Sequence, residues 1–400
     1  MNRSVRSGVV VCCLMTVVLV GTGVLANDFS PANWHRHIID DSSRGADGVR
    51  LADVDGDGRL DIVTGWEEGG VVRVCFQPDK ERVRDPWPGV TVGRAPSPED
   101  AFAVDLDQDG RMDVVSCHEG REQAVWVHWQ GDSPRDWTSQ IIPCTKNVTR
   151  WMYAVAMQVD GQNGVDLIVG SKHSSGNSRD GRIVWLQAPE NPRDVAAWQM
   201  HHVIDAAWIM SLEPFDLDDD GKTDVVVTDR KGPKRGAYWL EYDQAGTFRR
   251  KSLPLSESEV MFADVIDTSP LSIWISSRDG VFSILEKHSG RWTKQQTQNP
   301  FGVGSGKAIA VAHSGEEFIV GHTSNTHAAG LAGKRPGVAA TRARRTGDGW
   351  VFDCWSDVSG ADGEKFDRAE WLDLDQDGDL DLMTCEERSN LGVVWYEQPE

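Results

Sequence analysis

Cysteine is scarce in this 400-residue chain, with seven in all. Cys12 and Cys13 fall in an apolar leader, and Cys75, Cys117, Cys144, Cys354 and Cys385 remain beyond it. An odd number without framework spacing, in a chain long enough to bury a core unaided, argues against an essential disulfide. Positive charge is in deficit: 41 basic residues against 62 acidic ones give a net charge of −21. Such a field excludes nucleic acid and anionic membranes as partners of the chain as a whole. No apolar run after the leader approaches spanning length, so no membrane insertion is expected from the rest. No segment sustains a 3.6-residue apolar period, which excludes extensive helix. Also missing are a Gly-x-Ser-x-Gly elbow, a phosphate-cradling glycine loop before a helix, a His-Glu-x-x-His pair and a Cys-x-x-Cys. The adjacent His201 and His202 are not spaced for zinc, and no reliable nucleophile stands out.

The leader itself is informative. Residues 1–26 combine a basic start (Arg3, Arg6), an apolar run from Val9 to Leu25 and a small residue, Ala26, before Asn27. That pattern predicts a secretory signal peptide cut near Ala26, and hence a secreted or periplasmic protein; an uncleaved N-terminal anchor is the alternative. Residues 27–400 are expected to form one domain.

What the chain has in excess is one acidic loop. Residues 53–61 read DVDGDGRLD, residues 105–113 DLDQDGRMD, residues 216–224 DLDDDGKTD and residues 373–381 DLDQDGDLD. Carboxylates at loop positions 1, 3, 5 and 9 can converge on one hard cation, and calcium takes the six to eight oxygens such a loop offers. The ligands predicted are therefore Asp53, Asp55, Asp57 and Asp61; Asp105, Asp107, Asp109 and Asp113; Asp216, Asp218, Asp220 and Asp224; and Asp373, Asp375, Asp377 and Asp381. The backbone carbonyl of position 7 (Arg59, Arg111, Lys222, Asp379) adds one more. Glycine at position 6 permits the turn. An EF-hand opens the same way but needs Glu at position 12 and a following helix. Here position 12 is Thr64, Ser116, Val227 or Thr384, and a β-branched strand follows.

The loop sits inside a larger repeat. An aromatic residue opens a short alternating segment at Trp34, Trp87, Trp137, Trp198, Phe248, Trp292 and Trp350, with a period of about 53 residues. Strands and turns at that period predict an all-β, seven-bladed propeller of four-stranded blades. The chain starts with one spare outer strand (34–40) and ends without one, so pairing 34–40 with 391–398 closes the ring and hides two edges. The third repeat keeps only Asp160 and Asp166 of the loop, and the fifth and sixth have lost it. Four calcium sites are expected. The tryptophans read as packing between blades.

The aspartate pattern, running through nearly all of the chain after the leader, resembles the FG-GAP (or VCBS) repeats of the integrin α-subunit head, which abound in secreted bacterial proteins. The resemblance implies a seven-bladed propeller with calcium between the first and second strands of some blades. The Phe-Gly and Gly-Ala-Pro signatures of integrins are not clearly present, so integrin-like partner recognition is not implied. The family includes adhesion modules, lectin-like binders, and propeller domains of polysaccharide lyases and aldos-2-ulose dehydratases, so fold does not settle function.

Function is expected on the face away from the acidic loops, where charged and aromatic residues of all seven repeats meet around the central channel. The ligand-binding candidates are Asp100, Arg150, Trp151, Trp208, Arg230, Lys307, Asp367, Arg368, Glu387 and Arg388. This mixture of charge and aromatic surface suits a polar ligand, with carbohydrate the favoured class. Binding without chemistry leads. A lyase or dehydratase acting on sugars is the alternative, its acid and base drawn from His118, Glu119, Lys172, Asp229, Lys231, Lys365 or Glu386. A protein-docking adhesion module is the third reading, and it calls for an exposed apolar patch. A basic insertion, residues 322–345, reads as a solvated loop or as a lid over an anionic glycan.

Overall fold

The computed structural model describes residues 34–173, 181–244, 246–256, 258–298, 305–312, 315, 317–323, 340–346, 349–354 and 365–399. The leader and most of the basic insertion, including Lys334 and Arg335, lie outside the described residues.

Apolar runs bounded by glycine and acidic turns become strands here. Twenty-eight of them assemble into seven four-stranded antiparallel sheets arranged as a seven-bladed propeller. Among the described residues helix is confined to two three-residue 3-10 turns, Pro143–Thr145 and Val195–Ala197. The blades span residues 46–94, 98–141, 150–206, 209–256, 260–298, 305–354 and, for the seventh, 366–397 joined by His35–Asp40.

Burial follows strand position. The second strands Asp61–Trp66, Asp113–His118, Asp224–Asp229, Ser272–Ser277 and Asp381–Glu386 are buried at every residue, because a blade interior is covered on both faces. Outer strands such as Arg291–Gln298 are largely exposed. The apolar side chains form seven clusters, one at each junction between neighbouring blades. Trp66 and Trp395 belong to one of these, and Trp129 and Trp151 to another.

The ring closes as the repeat predicts. His35–Asp40 pairs antiparallel with Gly392–Glu397, His37 facing Trp395 and Ile38 facing Val394. The His37 ring stacks on Trp395 at 4.5 Å, its Nε2 lies 2.7 Å from Glu397, and Ile39 is fully buried.

Because the strands alternate in direction, the connections between first and second strands emerge on one face. Those leaving second strands and entering first strands emerge on the other. This second face surrounds the mouth of the central channel. Every innermost strand has a register shift near its mouth end, for instance between Asp47 and Arg50, between Pro98 and Asp100, and between Phe366 and Ala369. The other four shift at corresponding points. A bulge re-aims the side chains around it, here toward the channel and its mouth.

Candidate functional site

The four acidic loops share one backbone. Position 4 (Gly56, Gln108, Asp219, Gln376) and position 6 (Gly58, Gly110, Gly221, Gly378) all have positive φ. Glycine at position 6 is therefore required, whereas position 4 tolerates left-handed Gln and Asp, which the sequence did not reveal. Position 1 accepts the N–H of position 5 at 3.0 to 3.2 Å in each loop. Position 5 (Asp57, Asp109, Asp220, Asp377) accepts the N–H of position 7 at 2.9 to 3.0 Å.

Position 9 does more than the spacing suggests. One oxygen of Asp61, Asp113, Asp224 and Asp381 accepts the N–H of position 2. The other accepts the N–H of Gln77, Gln130, Tyr242 or Gln398, just beyond or late in the third strand. Asp166 makes the same brace in blade three, through Val159 and Ala188, which explains why it persists where the loop is reduced.

The loops fit a hard cation. Oxygens of Asp53, Asp55 and Asp57 lie within 4.8 Å of one another, as do those of Asp105, Asp107 and Asp113, and of Asp216, Asp218 and Asp224. An oxygen-only donor set of this kind suits calcium rather than zinc or copper. Cations from neighbouring blades also reach these loops, a feature missed in the sequence because the contacts are so distant in it. Arg193 pairs with Asp107 and Asp109 of blade two, Lys287 lies 3.2 Å from Asp219 of blade four, and Arg84 bridges Asp375 and Glu397 of blade seven. The hydrogen bond from Arg84 holds the Glu397 carboxyl down at about 2.

The opposite face has a floor and a rim. The floor is a polar plug across the channel. Arg50 lies 3.4 Å from Asp100 and packs over the Phe102 and Tyr153 rings. Tyr153 donates to Glu213 at 3.4 Å and accepts from Arg368, which also pairs with Glu370 at 3.1 Å. Beside it a cavity of about 30 Å³ is lined by Asp264, Arg368 and Glu370. Burial, then the charges of Glu213 and Glu370, push the Asp264 carboxyl up to about 7. Asp100 and Arg368 therefore belong to the plug and not to the rim.

The rim draws on all seven blades. Lys307 of blade six pairs with Asp367 of blade seven and lies 3.9 Å from Glu387; Lys365 pairs with Glu387 and lies 3.6 Å from Asp367. Asp47 and Glu67 follow in blade one, and Glu99 and Glu119 in blade two. Lys172 of blade three pairs with Glu119, lies 3.4 Å from Glu99 and sits 4.9 Å over the Trp208 ring. Arg230 lies 4.7 Å over the same ring. Lys231 pairs with Glu259, which Arg278 of blade five approaches at 3.2 Å. Burial, and then the neighbouring Lys307 charge, lower the Lys365 amine to about 7. Among the described residues the buried Nε1 of Trp208 and Nε of Arg230 find no hydrogen-bond partner.

Other sequence candidates lie elsewhere. His118 is buried behind the rim, bonded to the Pro96 carbonyl and the Ser116 hydroxyl, and burial lowers it to about 4. Asp229 is buried and accepts the N–H groups of Ala207 and Trp208. Glu386 is buried and accepts those of Lys365, Arg388, Ser389 and Leu391, capping its own loop. Trp151 is fully buried in a blade junction and donates to the Thr145 carbonyl at 3.0 Å. These four hold the rim in place from behind. Arg150 is half-buried near Glu119, and Arg388 is exposed at the outer edge. Asp47, Glu67, Glu99 and Glu259 lie on the connections that the sequence places at this face, and the structure brings them to the rim; Arg278 was not singled out in the sequence, because only its three-dimensional approach to Glu259 distinguishes it from ordinary surface charge.

No model of a known protein family matches the chain, and no curated protein matches it. Solved structures do resemble it. The chain is 11% identical to BBS1N, crystallised in complex with ARL6DN and soaked with lead, at a TM-score of 0.54 over 93% of this chain and 98% of that one. It is 9% identical to the β-propeller domain of Cps50 (Swd1) from Myceliophteria thermophila, at a TM-score of 0.55 over 90% and 99%. At these identities the likeness is one of fold, a seven-bladed propeller.

Proposed function

We propose that this is a secreted, calcium-stabilised propeller of the FG-GAP type that binds a polar extracellular ligand, carbohydrate in class, at the rim of its charged face. The observation that carries the reading is the convergence of charged groups from all seven blades over a closed floor, with Trp208 among them. The plug lies across the channel below the rim, so a ligand at the rim rests above it. Trp208 brings an aromatic ring among the cations Lys172 and Arg230, and these two with the rim carboxylates offer hydrogen bonds to hydroxyl groups. Calcium at the four acidic loops fixes the opposite ends of the same blades.

A lyase or dehydratase would draw on Lys365, whose amine burial and the neighbouring Lys307 charge hold below the usual lysine range, in the direction a base requires. Against it, Glu119, Lys172, Lys231 and Lys365 are engaged in ion pairs, and His118, Asp229 and Glu386 are bound by the fold. The docking-module reading has less support. The exposed large apolar residues among those described, Ile38, Leu60 and Val148, belong to separate blades and form no patch.

The test is a thermal melt of the protein in EGTA and in calcium, repeated with neutral and uronic-acid glycans. Calcium should raise the melting temperature, since a ligand that binds only the folded state must do so. One glycan class should raise it further. Absence of a calcium shift would overturn the metal assignment, and silence from every glycan would overturn the carbohydrate one.

A further inference from the structure

Among the described residues the rim holds more acid than base: Asp47, Glu67, Glu99, Glu119, Asp367 and Glu387 face Lys172, Lys307, Lys365 and Arg150. Asp47 lies on the innermost strand Ala46–Ala52, Glu67 directly follows the strand Asp61–Trp66, and Glu99 lies on the innermost strand Pro98–Val104. One oxygen from each lies within 4.8 Å of the other two. Glu99 has Lys172 at 3.4 Å, but that amine is shared with Glu119. Among the described residues the carboxylates of Asp47 and Glu67 have neither a hydrogen bond nor an ion pair. Asp47 is only 8% exposed, so water does not serve it freely either. A buried carboxylate without a hydrogen bond is costly to hold, and close neighbours of the same sign add to that cost. On its other side Asp47 also lies within 4.8 Å of Asp367 and Glu387; Lys307 and Lys365 pair with those two and act on Asp47 only through longer-range attraction.

We infer that Asp47, Glu67 and Glu99 form a divalent-cation site at the rim, separate from the four acidic loops on the opposite face. The donors are all carboxylate oxygens, which selects a hard cation such as calcium, magnesium or manganese over zinc or copper. They come from two adjacent blades, so the ion ties blade one to blade two at the mouth. Three protein ligands leave coordination positions open, and these face the mouth. The site stands independently of the carbohydrate reading: it needs only the three acids.

Asp47 is already in place when the ion arrives. The register shift between Asp47 and Arg50 leaves it in the bulge, while Arg50 turns into the channel to meet Asp100. A position that in a regular strand would alternate simply between faces is here directed to the rim.

The experiment is a count of bound calcium and manganese by equilibrium dialysis of the full chain, wild type against Asp47→Asn and against Glu67→Gln. Each variant should hold one equivalent fewer than wild type, whatever number the acidic loops contribute. The difference between proteins therefore tests the rim site even if the loops bind nothing. A melt supplies the second readout: calcium should raise the melting temperature of wild type by more than that of Asp47→Asn. Should Asp47→Asn fail to fold, Glu67→Gln, at a half-buried position, carries the count alone. Equal metal counts in wild type and a folded variant would overturn the inference, as would an equal calcium shift in the two melts.

Discussion

Whether His118 belongs to the mouth or to the core can be decided by acid. His118 and His128 flank the Ser116 hydroxyl at 2.8 and 2.9 Å inside blade two. The Pro96 carbonyl, 2.9 Å from His118 Nδ1, accepts only, so the proton sits on Nδ1 and Nε2 accepts from Ser116. Ser116 then receives the Nε2–H of His128, whose Nδ1 accepts from Ser139 at 2.8 Å. Both rings are thus neutral and fixed as tautomers. Burial lowers His118 from 6.5 to about 4 and His128 to about 3, with the second ring adding to the effect on His128. As pH falls below 6.5 the unfolded chain takes up protons that the folded chain refuses, so stability is lost on the way down. At pH 5 that amounts to about 2 kcal/mol for each ring, or about 4 kcal/mol for the pair. Urea unfolding at pH 7 and pH 5, in EGTA, measures it. His118→Gln and His128→Gln should each be less stable at pH 7, through lost hydrogen bonds, but should each lose about 2 kcal/mol less between pH 7 and pH 5 than wild type does. Equal acid losses in wild type and variants would refute the reasoning. His118 would then titrate as a solvated imidazole and return as an acid–base candidate for the rim.

Two further perturbations follow from the geometry. Deleting residues 34–40 removes the outer strand of blade seven and leaves Gly392–Glu397 as an open edge, so the truncated chain should unfold or aggregate in sedimentation; a monomer with wild-type stability would show that the ring does not need its clasp. The milder Ile39→Ala, at a fully buried position, should cost about 2–5 kcal/mol in urea unfolding. Trp208→Ala should leave the calcium shift in the melt intact while abolishing any shift produced by a glycan, and a glycan shift that survives would place the ligand elsewhere on the face.

The elements legible in the sequence are those whose information is local. Each acidic loop holds its carboxylates within nine consecutive residues, so Asp53 to Asp61 announce their convergence by spacing alone. The buried second strands show as unbroken β-branched runs, and the ring closure follows from counting outer strands at both ends. Where local reading failed, the cause was a second use for a residue. Asp61 and its equivalents looked like metal ligands and are also braces for the third strand. Trp151 looked like a stacking platform because it follows Arg150 at a blade entrance, yet the strand turns it into the junction core. His118 and Glu386 sit at the ends of second strands, where each side chain can point either to the mouth or back into the blade. Burial, which the sequence does not state, decides between them.

The two faces of the ring therefore hold acid in different ways, and the difference bears on what each face can do. On the loop face the carboxylates of one site come from one segment, and their left-handed turns at positions 4 and 6 bring them together before any tertiary contact forms. A cation bound there stabilises a blade edge and demands little of the rest of the ring. At the rim the acids come from separate blades: Asp47 and Glu99 are on adjacent innermost strands, while Asp367 reaches the same point from the far end of the chain. Asp47 and Glu99 meet when blades one and two pack, and Asp367 joins them only once the ring has closed; among the described residues Asp47 and Glu67 have no hydrogen bond or ion pair. A structural role would be met by pairing or neutralising them, as Lys307 and Lys365 do for Asp367 and Glu387. An excess of acid above the plug is the feature that separates this rim from a ring of mutually satisfied ion pairs, and it is what supports the proposal of a ligand site on this face.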